Sequence, residues 1–190
     1  MRREIMEEVV VRRARREDIP AVMEVNIASL PENYWYGFYE EFVEKWSEAF
    51  LVAEIGGEIV GYAMSRIEQQ RDPVLLGLRS ELEEAPKSIL ARIADEVASY
   101  LTIEPQRVGH LVSIAVLAPY RGRGIGSRLL SESIRVVRDV YGAVSMYLEV
   151  RVSNTIAIRL YEKHGFRKAR LIKSYYADGE DAYVMVKRLR

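Results

Sequence analysis

The chain contains no cysteine and only two histidines among its 190 residues. Without cysteine there is no disulfide bond, no thiolate metal site and no covalent cysteine intermediate. No stretch approaches the roughly 20 consecutive apolar residues that a membrane-spanning helix needs. The first residues, MRREIMEEVV, also lack the apolar core and the small-residue cleavage site of an export signal. We therefore expect a cytoplasmic protein that has no membrane partner.

An excess of charge of one sign is also lacking, because 28 basic residues balance 28 acidic ones. A sequence-independent nucleic-acid binder needs a basic surface, so we expect no nucleic-acid partner. Asparagine and glutamine are scarce while charged residues are abundant, which is typical of thermophilic proteins. The length predicts one domain, 1–190.

The order of elements predicts an α/β (α+β) fold with a mixed sheet. Asp18 is predicted to cap a helix that begins at Ile19, and Gly56 and Gly57 join two strands in a tight hairpin. The segment LPENYWYGFYEEFVEKW is predicted to be a loop that becomes a second, aromatic helix. The remaining predicted elements are strands over 7–15, 110–117 and 145–153, helices over 127–141 and 154–164, and two final strands around YYADGEDAY. The strand, helix and strand through 110–153 predict a parallel crossover.

The segment HLVSIAVLAPYRGRGIGSRLL, residues 110–130, places glycines between a strand and a helix. Gly122, Gly124 and Gly126 alternate, which matches neither a Walker loop nor a dinucleotide fingerprint. Backbone N–H groups at a helix start, without side chains in the way, form a cradle for a diphosphate. Arg121, Arg123 and Arg128 add positive charge there. A plain strand-to-helix turn is the alternative.

RGRGIG resembles the signature of the GCN5-related N-acetyltransferase (GNAT) superfamily. LPENY, YLEVRVSN, AIRLYEKHGF and YYADGEDAY resemble the catalytic subunits of N-terminal acetyltransferases of the archaeal Ard1/RimI type. The resemblance implies the GNAT fold, with a mostly antiparallel sheet, one parallel β-α-β crossover and flanking helices. It also implies acetyl-CoA as co-substrate. The residues that it implies for binding acetyl-CoA are Ile114, Ala115, Val116, Arg121, Gly122, Arg123, Gly124, Ile125, Gly126, Ser127, Asn154 and Tyr161.

Transfer to an amine needs a proton acceptor, because an α-amino group has a pKa near 8 and must be neutral to attack. Glu149 lies in SMYLEVRVS on the same strand face as Tyr147 and Arg151. Adjacent strands could bring it within direct or water-bridged reach of His110. The resemblance implies that both act as general base. The alternative is a surface His110 and a Glu149 that pairs with Arg151. Two ligands make a poor metal site, so we expect no metal.

The resemblance gives Tyr161 the role of general acid toward the thioester sulfur. It also implies that two segments clamp the acceptor peptide. Glu32 and Tyr34 lie in the first, and Tyr175 and Tyr176 lie in the second, before the Asp178-Gly179 turn. The alternative is that these tyrosine-rich segments only pack.

Residues 70–108 form an insertion that the family pattern does not contain. The apolar residues of this segment follow helical spacing and predict an amphipathic helix over 87–101, with Pro86 in its first turn. They are Ile89, Leu90, Ile93, Ala94, Val97 and Leu101. Such an apolar face must be buried, against this domain or against a second copy.

The resemblance implies a protein N-α-acetyltransferase that acts on Ser-, Ala-, Thr- and Met-starting N-termini, and the absence of cysteine favours direct attack in a ternary complex. A lysine or small-amine acetyltransferase on the same fold is one alternative. A silent acetyl-CoA-binding module is another. Protein N-termini are the expected partners, and association with the ribosome or with a second copy stays open.

Overall fold

The structure is a computed structural model that describes residues 8–82 and 87–190. Its strands are β1 (Val10–Arg13), β2 (Phe50–Ile55), β3 (Glu58–Gln70), β4 (Gln106–Val116), β5 (Ser145–Arg151), β6 (Arg167–Ile172) and β7 (Ala182–Arg188). Its helices are α1 (Ile19–Ser29), α2 (Tyr36–Lys45), α3 (Ile89–Thr102), α4 (Ile125–Asp139) and α5 (Thr155–Lys163). The strands form a seven-stranded sheet in the order β1-β2-β3-β4-β5-β7-β6.

The predicted fold class is confirmed. Strands β4 and β5 pair in parallel, and α4 lies between them in the chain. The pairs that are described for β1 with β2, β2 with β3, β5 with β7 and β6 with β7 are antiparallel. Gly56 and Gly57 have φ values of 58° and 88°, as the tight hairpin between β2 and β3 requires.

The chain divides into two compact units. The first comprises the residues up to Arg66 together with Val112–Val136, and the second comprises Ile67–Leu111 with Val137–Arg190. Strands β3 and β4 each contribute residues to both units. The prediction that 1–190 forms one domain stays a prediction.

The first unit packs α1 and α2 on β2 and β3. Its core is rich in aromatic and branched side chains, and Val22, Tyr39, Phe50 and Val52 are completely buried. Three uncharged polar residues are buried in this unit, and we call them the neutral cluster: Asn26, Tyr62 and Ser113. The Asn26 amide donates to the Tyr62 hydroxyl at 2.8 Å, and that hydroxyl lies 2.7 Å from Ser113 Oγ.

The second unit has its own apolar core, which includes the segment that follows β3. Val74 and Leu76 pack with Val108 and with β7 residues such as Val184. Ser145 donates to the Leu75 carbonyl at 2.6 Å and so ties this segment to β5. The insertion is therefore anchored at its beginning.

The helix predicted over 87–101 is present as α3, Ile89–Thr102. Pro86 lies outside the described residues. The apolar residues of α3 are not buried against this chain: Ile89, Leu90, Ile93, Val97 and Leu101 are between 52% and 79% exposed. Among residues 8–82 and 87–190, the predicted burial of this face against the chain itself is therefore not found.

Candidate active site

In the second unit, His110 lies between two carboxylates. Its Nε2 is 2.8 Å from Glu149 Oε2, and its Nδ1 is 3.4 Å from Glu68 Oε1. The Tyr147 ring stacks on the imidazole, with centroids 4.3 Å apart and planes inclined by 11°. We call Glu68, His110, Tyr147 and Glu149 the charged cluster. The predicted meeting of His110 and Glu149 is therefore a direct contact.

Strand geometry brings these side chains together. His110 and Tyr147 are register partners in the parallel pair of β4 and β5, and Glu149 lies two residues beyond Tyr147 on the same face. Glu68 lies near the end of β3, two residues before the strand ends at Gln70. The side chains of His110, Glu68 and Glu149 are only 11% to 21% exposed, so their charges interact through a poorly solvated space.

Glu68 is the site residue that the sequence analysis missed. Its Oε2 accepts hydrogen bonds from the Tyr147 hydroxyl at 2.8 Å and from the Gln70 amide at 3.0 Å. The hydrogen bond with His110, more than these two, holds the pKa of Glu68 well below its usual range, against an opposing effect of burial. The only signal in the sequence was a carboxylate on the same alternating face as Tyr62 in a long strand.

The alternative in which Glu149 pairs with Arg151 is wrong. The Arg151 guanidinium instead bridges Asp178 and Glu180, through Nη1 at 2.7 Å and 2.8 Å. Its flat face lies 3.9 Å from the centre of the Tyr176 ring. Glu180 also accepts from the Ser153 backbone N–H at 3.0 Å. One arginine at the end of β5 thus fixes the loop between β6 and β7.

That loop, which we call the tyrosine loop (173–181), has a defined backbone. Ser174 has a φ of 49°, an uncommon conformation for a residue other than glycine, and its N–H donates to Asp181 Oδ1 at 2.9 Å. Gly179 closes the turn with a φ of 85° and donates to the Tyr176 carbonyl at 2.8 Å. Tyr175 and Tyr176 meet edge to face at 5.0 Å. Tyr175 is exposed and Tyr176 is half-buried.

The other two residues predicted to bind the acceptor lie in the first unit. Glu32 is half-buried in the connection between α1 and α2. Tyr34 stacks on Phe38, with ring centroids 4.4 Å apart, and meets Tyr39 edge to face. The Tyr34 ring therefore packs within its own unit, as the alternative predicted, whereas its role toward a peptide stays a prediction.

The glycine loop, Arg121–Ser127, also lies in the first unit. Gly122 and Gly124 have φ values of 77° and 81°, and a Cβ added to either would meet no atom within 4 Å. Helix α4 begins at Ile125, directly after the second of them. The conformation therefore requires glycine, and the space beside the helix start is open, as a phosphate cradle needs.

Two arginines of this loop contact other groups of the chain. Arg121 Nε donates to the Val116 carbonyl at 2.8 Å, so its guanidinium is anchored to the end of β4. Arg123 lies over the Tyr120 ring at 5.3 Å. Ile114, Ala115 and Val116 are the last three residues of β4, as predicted for a strand that leads into the loop. Arg121 thus orders the loop in addition to any charge that it offers to a phosphate.

Asn154 and Tyr161, both predicted to contact acetyl-CoA, lie in the second unit. Asn154 caps α5, because its Oδ1 accepts from the Ala157 N–H at 3.1 Å. Tyr161 is buried in the same helix and meets Phe166 edge to face at 6.0 Å. Burial raises the pKa of the Tyr161 hydroxyl, which therefore stays protonated at neutral pH.

The described residues, 8–82 and 87–190, include no group of three His, Asp or Glu side chains arranged to hold a metal ion. In the charged cluster the two carboxylates face opposite nitrogens of one imidazole, so they do not converge on a common point. None of the helices in this part of the chain has the length and apolar character to cross a membrane.

The chain has an α/β sheet with one parallel crossover, a glycine loop at a helix start and an imidazole–carboxylate pair. These features are typical of enzymes that transfer an acyl group. Residues 17–166 match the model of the Acetyltransferase (GNAT) family. The chain belongs to this family and is an acyltransferase. The resemblance seen in the sequence is therefore confirmed.

Proteins similar to this chain carry informative names. It is 43% identical over 175 residues to the N-alpha-acetyltransferase of Sulfurisphaera tokodaii, covering 92% of this chain and 90% of that one. The Arabidopsis thaliana N-terminal acetyltransferase A complex catalytic subunit NAA10 is 31% identical, with 96% of this chain and 79% of that one covered. Chaetomium thermophilum Naa20, solved with a bisubstrate analogue, is similar with 30% identity and a TM-score of 0.70, covering 95% and 86%.

Proposed function

We propose that this protein transfers the acetyl group of acetyl-CoA to the free α-amino group of protein N-termini. The observation that carries the proposal is the direct 2.8 Å contact between His110 Nε2 and Glu149 Oε2 in a member of an acetyltransferase family. Such a pair can take the proton that an attacking amine must lose. Relatives named for N-alpha-acetyl transfer, at 43% identity, support the α-amine as acceptor.

The reaction needs no covalent acyl-enzyme. The neutral amine attacks the thioester carbonyl, the N–C bond forms and the C–S bond breaks. The proton of the amine passes to the His110–Glu149 pair, and the departing thiolate takes a proton from the Tyr161 hydroxyl. A tyrosine with a raised pKa suits this role, because it holds its proton until a thiolate forms beside it.

Acetyl-CoA binding is assigned to the glycine loop and to the end of β4. The open space beside Gly122 and Gly124 supports this assignment, as does the helix start that follows them. A structure similar in fold, that of Arabidopsis thaliana NAA60, was solved with acetyl-CoA; it has a TM-score of 0.74 and 20% identity. That likeness bears on the fold alone, so the residues of this chain carry the assignment.

The tyrosine loop and the segment around Glu32 and Tyr34 are the proposed acceptor-binding elements. The first of these is fixed by Arg151, so Tyr175 and Tyr176 are held in place before a peptide binds. A pre-ordered loop loses little conformational freedom on binding, which favours affinity. Glu32 is assigned to the choice of the first residue.

A panel of peptides tests the acceptor class. Peptides that begin with Ser, Ala, Thr, Met-Leu or Met-Glu are compared with N-blocked copies that contain an internal lysine, and acetyl transfer is followed by mass spectrometry. We expect labelling of the free N-termini only. Strong labelling of the blocked peptides, with none of the free ones, would identify a lysine acetyltransferase instead.

A matched pair of glycine variants tests the cofactor site. Gly124→Asp and Gly57→Asp strain similar backbones, with φ values of 81° and 88°, and both side chains enter open space. Only the first adds a negative charge at the proposed phosphate cradle. Calorimetry should show weaker acetyl-CoA binding for Gly124→Asp than for Gly57→Asp. Equal affinities would remove the glycine loop from the cofactor site.

A further inference from the structure

The charged cluster contains a group to which no role has yet been given. Glu68 and Glu149 approach opposite nitrogens of His110, at 3.4 Å from Nδ1 and 2.8 Å from Nε2. A neutral imidazole carries one N–H and can donate to one carboxylate only, whereas an imidazolium donates to both. The arrangement therefore favours the protonated ring.

We propose that Glu68 is a positioning residue that anchors His110 through Nδ1 and raises the proton affinity of the His110–Glu149 pair. The role of Glu68 in catalysis rests on the proposed function, whereas its effect on the pKa of His110 does not. With Nδ1–H directed at Glu68, the Nε2 atom is left to share a proton with Glu149. A third group that orients an imidazole and stabilises its charged form is a recurrent device in base catalysis.

The other groups around Glu68 fit this role. Its second oxygen, Oε2, is occupied by the Tyr147 hydroxyl and the Gln70 amide, so Oε1 stays turned toward the imidazole. Tyr147 also stacks on the ring and limits its rotation. Among the contacts described for His110, the titratable groups that face it are Glu68 from β3 and Tyr147 and Glu149 from β5.

The expected consequence is a change in the pKa of His110 when the carboxylate of Glu68 is removed. A nearby negative charge raises the pKa of an imidazole, so Glu68→Gln should lower it, by about 1 pH unit or more. The acidic limb of kcat/KM should move to lower pH by a similar amount, because the pair must lose its proton before it can act as base.

The chain offers a clean measurement, because His110 and His164 are its only histidines. Nuclear magnetic resonance titration of the two imidazoles follows the His110 pKa in the absence of any substrate. His164, whose Nδ1 lies 2.8 Å from the Leu160 carbonyl, serves as internal reference. Tyr147→Phe is the matched control, since it removes a hydrogen bond to Glu68 but keeps the charge.

We expect Glu68→Gln to lower the His110 pKa while Tyr147→Phe does not lower it and His164 stays unchanged. An unchanged or higher His110 pKa in Glu68→Gln, or an equal fall in Tyr147→Phe, would overturn the inference. Glu68→Asp should recover part of the shift. Failure of all peptides to be acetylated would refute the proposed function and leave this titration unaffected, so the two failures are distinguishable.

A second observation, independent of the first, concerns α3. The helix turns its polar side to its own unit: Asp95, half-buried, accepts from Lys87 at 2.7 Å and from Arg79 at 3.3 Å. Ala91, on the same side, is also half-buried. The large apolar side chains of Ile89, Leu90, Ile93, Val97 and Leu101 are instead more than half exposed. Because such a face is costly in water, it calls for an occupant.

We infer that this occupant is α3 of a second copy, packed antiparallel about a two-fold axis. Ile89, Ile93, Val97 and Leu101 follow each other at intervals of four, so the row is symmetric about residue 95. Reversing the helix therefore presents the same row to itself. A two-fold axis brings equal patches together, as the common symmetric dimers do.

Charge complementarity supports this pairing over an unrelated partner. Arg92 and Glu96 are both exposed and lie on the same flank of the apolar row, one turn apart. In an antiparallel two-fold pair of helices, this flank of one copy contacts the same flank of the other, and the two helices run in opposite directions. About a centre at residue 95, residue 92 of one copy faces position 98 of the other, so Arg92 comes within two residues, about 3 Å along the axis, of Glu96 of the second copy. This approach occurs twice per dimer and favours the antiparallel arrangement.

Sedimentation velocity over a concentration series tests the pairing. The wild-type protein should dimerise with a Kd below about 100 µM, and Ile93→Glu should be monomeric. Ile156→Glu is the control, because Ile156 is exposed on α5. Arg92→Glu should weaken the dimer, and adding Glu96→Arg should restore it.

Several results would refute the α3 dimer. A monomeric wild-type protein is one. A dimer that persists in Ile93→Glu, or that Ile156→Glu disrupts equally, is another, because it would use a different surface. A charge reversal that does not restore association would overturn the antiparallel arrangement. Activity is not part of this test, so its result is independent of the proposed function.

Discussion

The neutral cluster and the charged cluster draw residues from the same two strands, β3 and β4, yet they differ in chemistry. The neutral cluster has no ionisable group that titrates near neutral pH, because burial raises the pKa of Tyr62 to about 12. The charged cluster holds two carboxylates and an imidazole. Buried hydrogen bonds between uncharged groups hold a fold together at any ordinary pH, whereas a cluster of titratable groups can also bind and release a proton.

Removing one member of each cluster should therefore affect different properties. The neutral cluster should determine stability with little influence on the reaction. The charged cluster should determine the rate and its pH dependence.

The first test breaks the charged cluster. Glu149→Gln and His110→Ala should each lower kcat/KM by roughly 100-fold, the loss typical of a missing general base. The double variant should be hardly worse than either single variant, because the pair acts as one unit. Melting temperature and acetyl-CoA affinity should stay close to those of the parent. Losses that multiply would indicate separate roles for the two residues.

The second test breaks the neutral cluster. Tyr62→Phe leaves buried Asn26 and Ser113 without the hydroxyl between them and should lower the free energy of unfolding by about 1–3 kcal/mol. Tyr39→Phe is the matched control, because the Tyr39 hydroxyl is buried and has no hydrogen-bond partner in the described part of the chain. Urea denaturation should show little loss for it. Equal losses in both variants would mean that the hydrogen bonds of the Tyr62 hydroxyl add no stability beyond the packing of that hydroxyl group.

The third test extends the comparison along β5 to the tyrosine loop. Arg151→Lys keeps the charge but loses the flat group that stacks on Tyr176 and bridges two carboxylates. Peptide KM should rise roughly 5- to 10-fold, with acetyl-CoA affinity unchanged. Arg159→Lys, an exposed arginine on α5, should have no effect. A fall in kcat at unchanged KM would contradict a role in ordering the loop.

The smallest effect is expected in the pH dependence of the unfolding free energy of Glu68→Gln. The pKa of Glu68 in the folded protein is lowered, mainly by its hydrogen bond with His110. The contribution of Glu68 to the free energy of unfolding is therefore fully present above its pKa in the unfolded chain, about 4.3. This contribution is lost as the pH falls through the pKa of Glu68 in the folded protein. The difference in unfolding free energy between wild type and Glu68→Gln should shrink below about pH 4. The corresponding difference for Tyr62→Phe should stay constant across that range.

Local patterns predicted much of this fold. Alternation in SMYLEVRVS identified β5 and its polar face, and the glycine pair identified the hairpin, because both depend on neighbours in the chain. Asp18 is a partial failure. It precedes α1 as predicted, but its carboxylate pairs with Arg12 at 2.7 Å and accepts from the Arg15 N–H instead of capping that helix.

The candidate site was less accessible from sequence. His110 and Glu149 depended on the family resemblance, and Glu68 was missed, because its contact with His110 joins residues 42 positions apart through a strand pairing that no local pattern specifies. The pairing of Arg151 with Asp178 and Glu180 is a long-range choice of the same kind. The exposure of α3 was undecided because periodicity finds an apolar face without saying what covers it.

The two edges of the sheet have a consequence for aggregation. β1 has only four residues, two of them Arg12 and Arg13, and β6 carries Arg167, Lys168 and Arg170 with an irregularity in its pairing. Short, basic and irregular edge strands resist the addition of further strands from other molecules. A concentrated or heated solution of this protein is therefore protected against edge-to-edge growth into fibrils at both ends of its sheet.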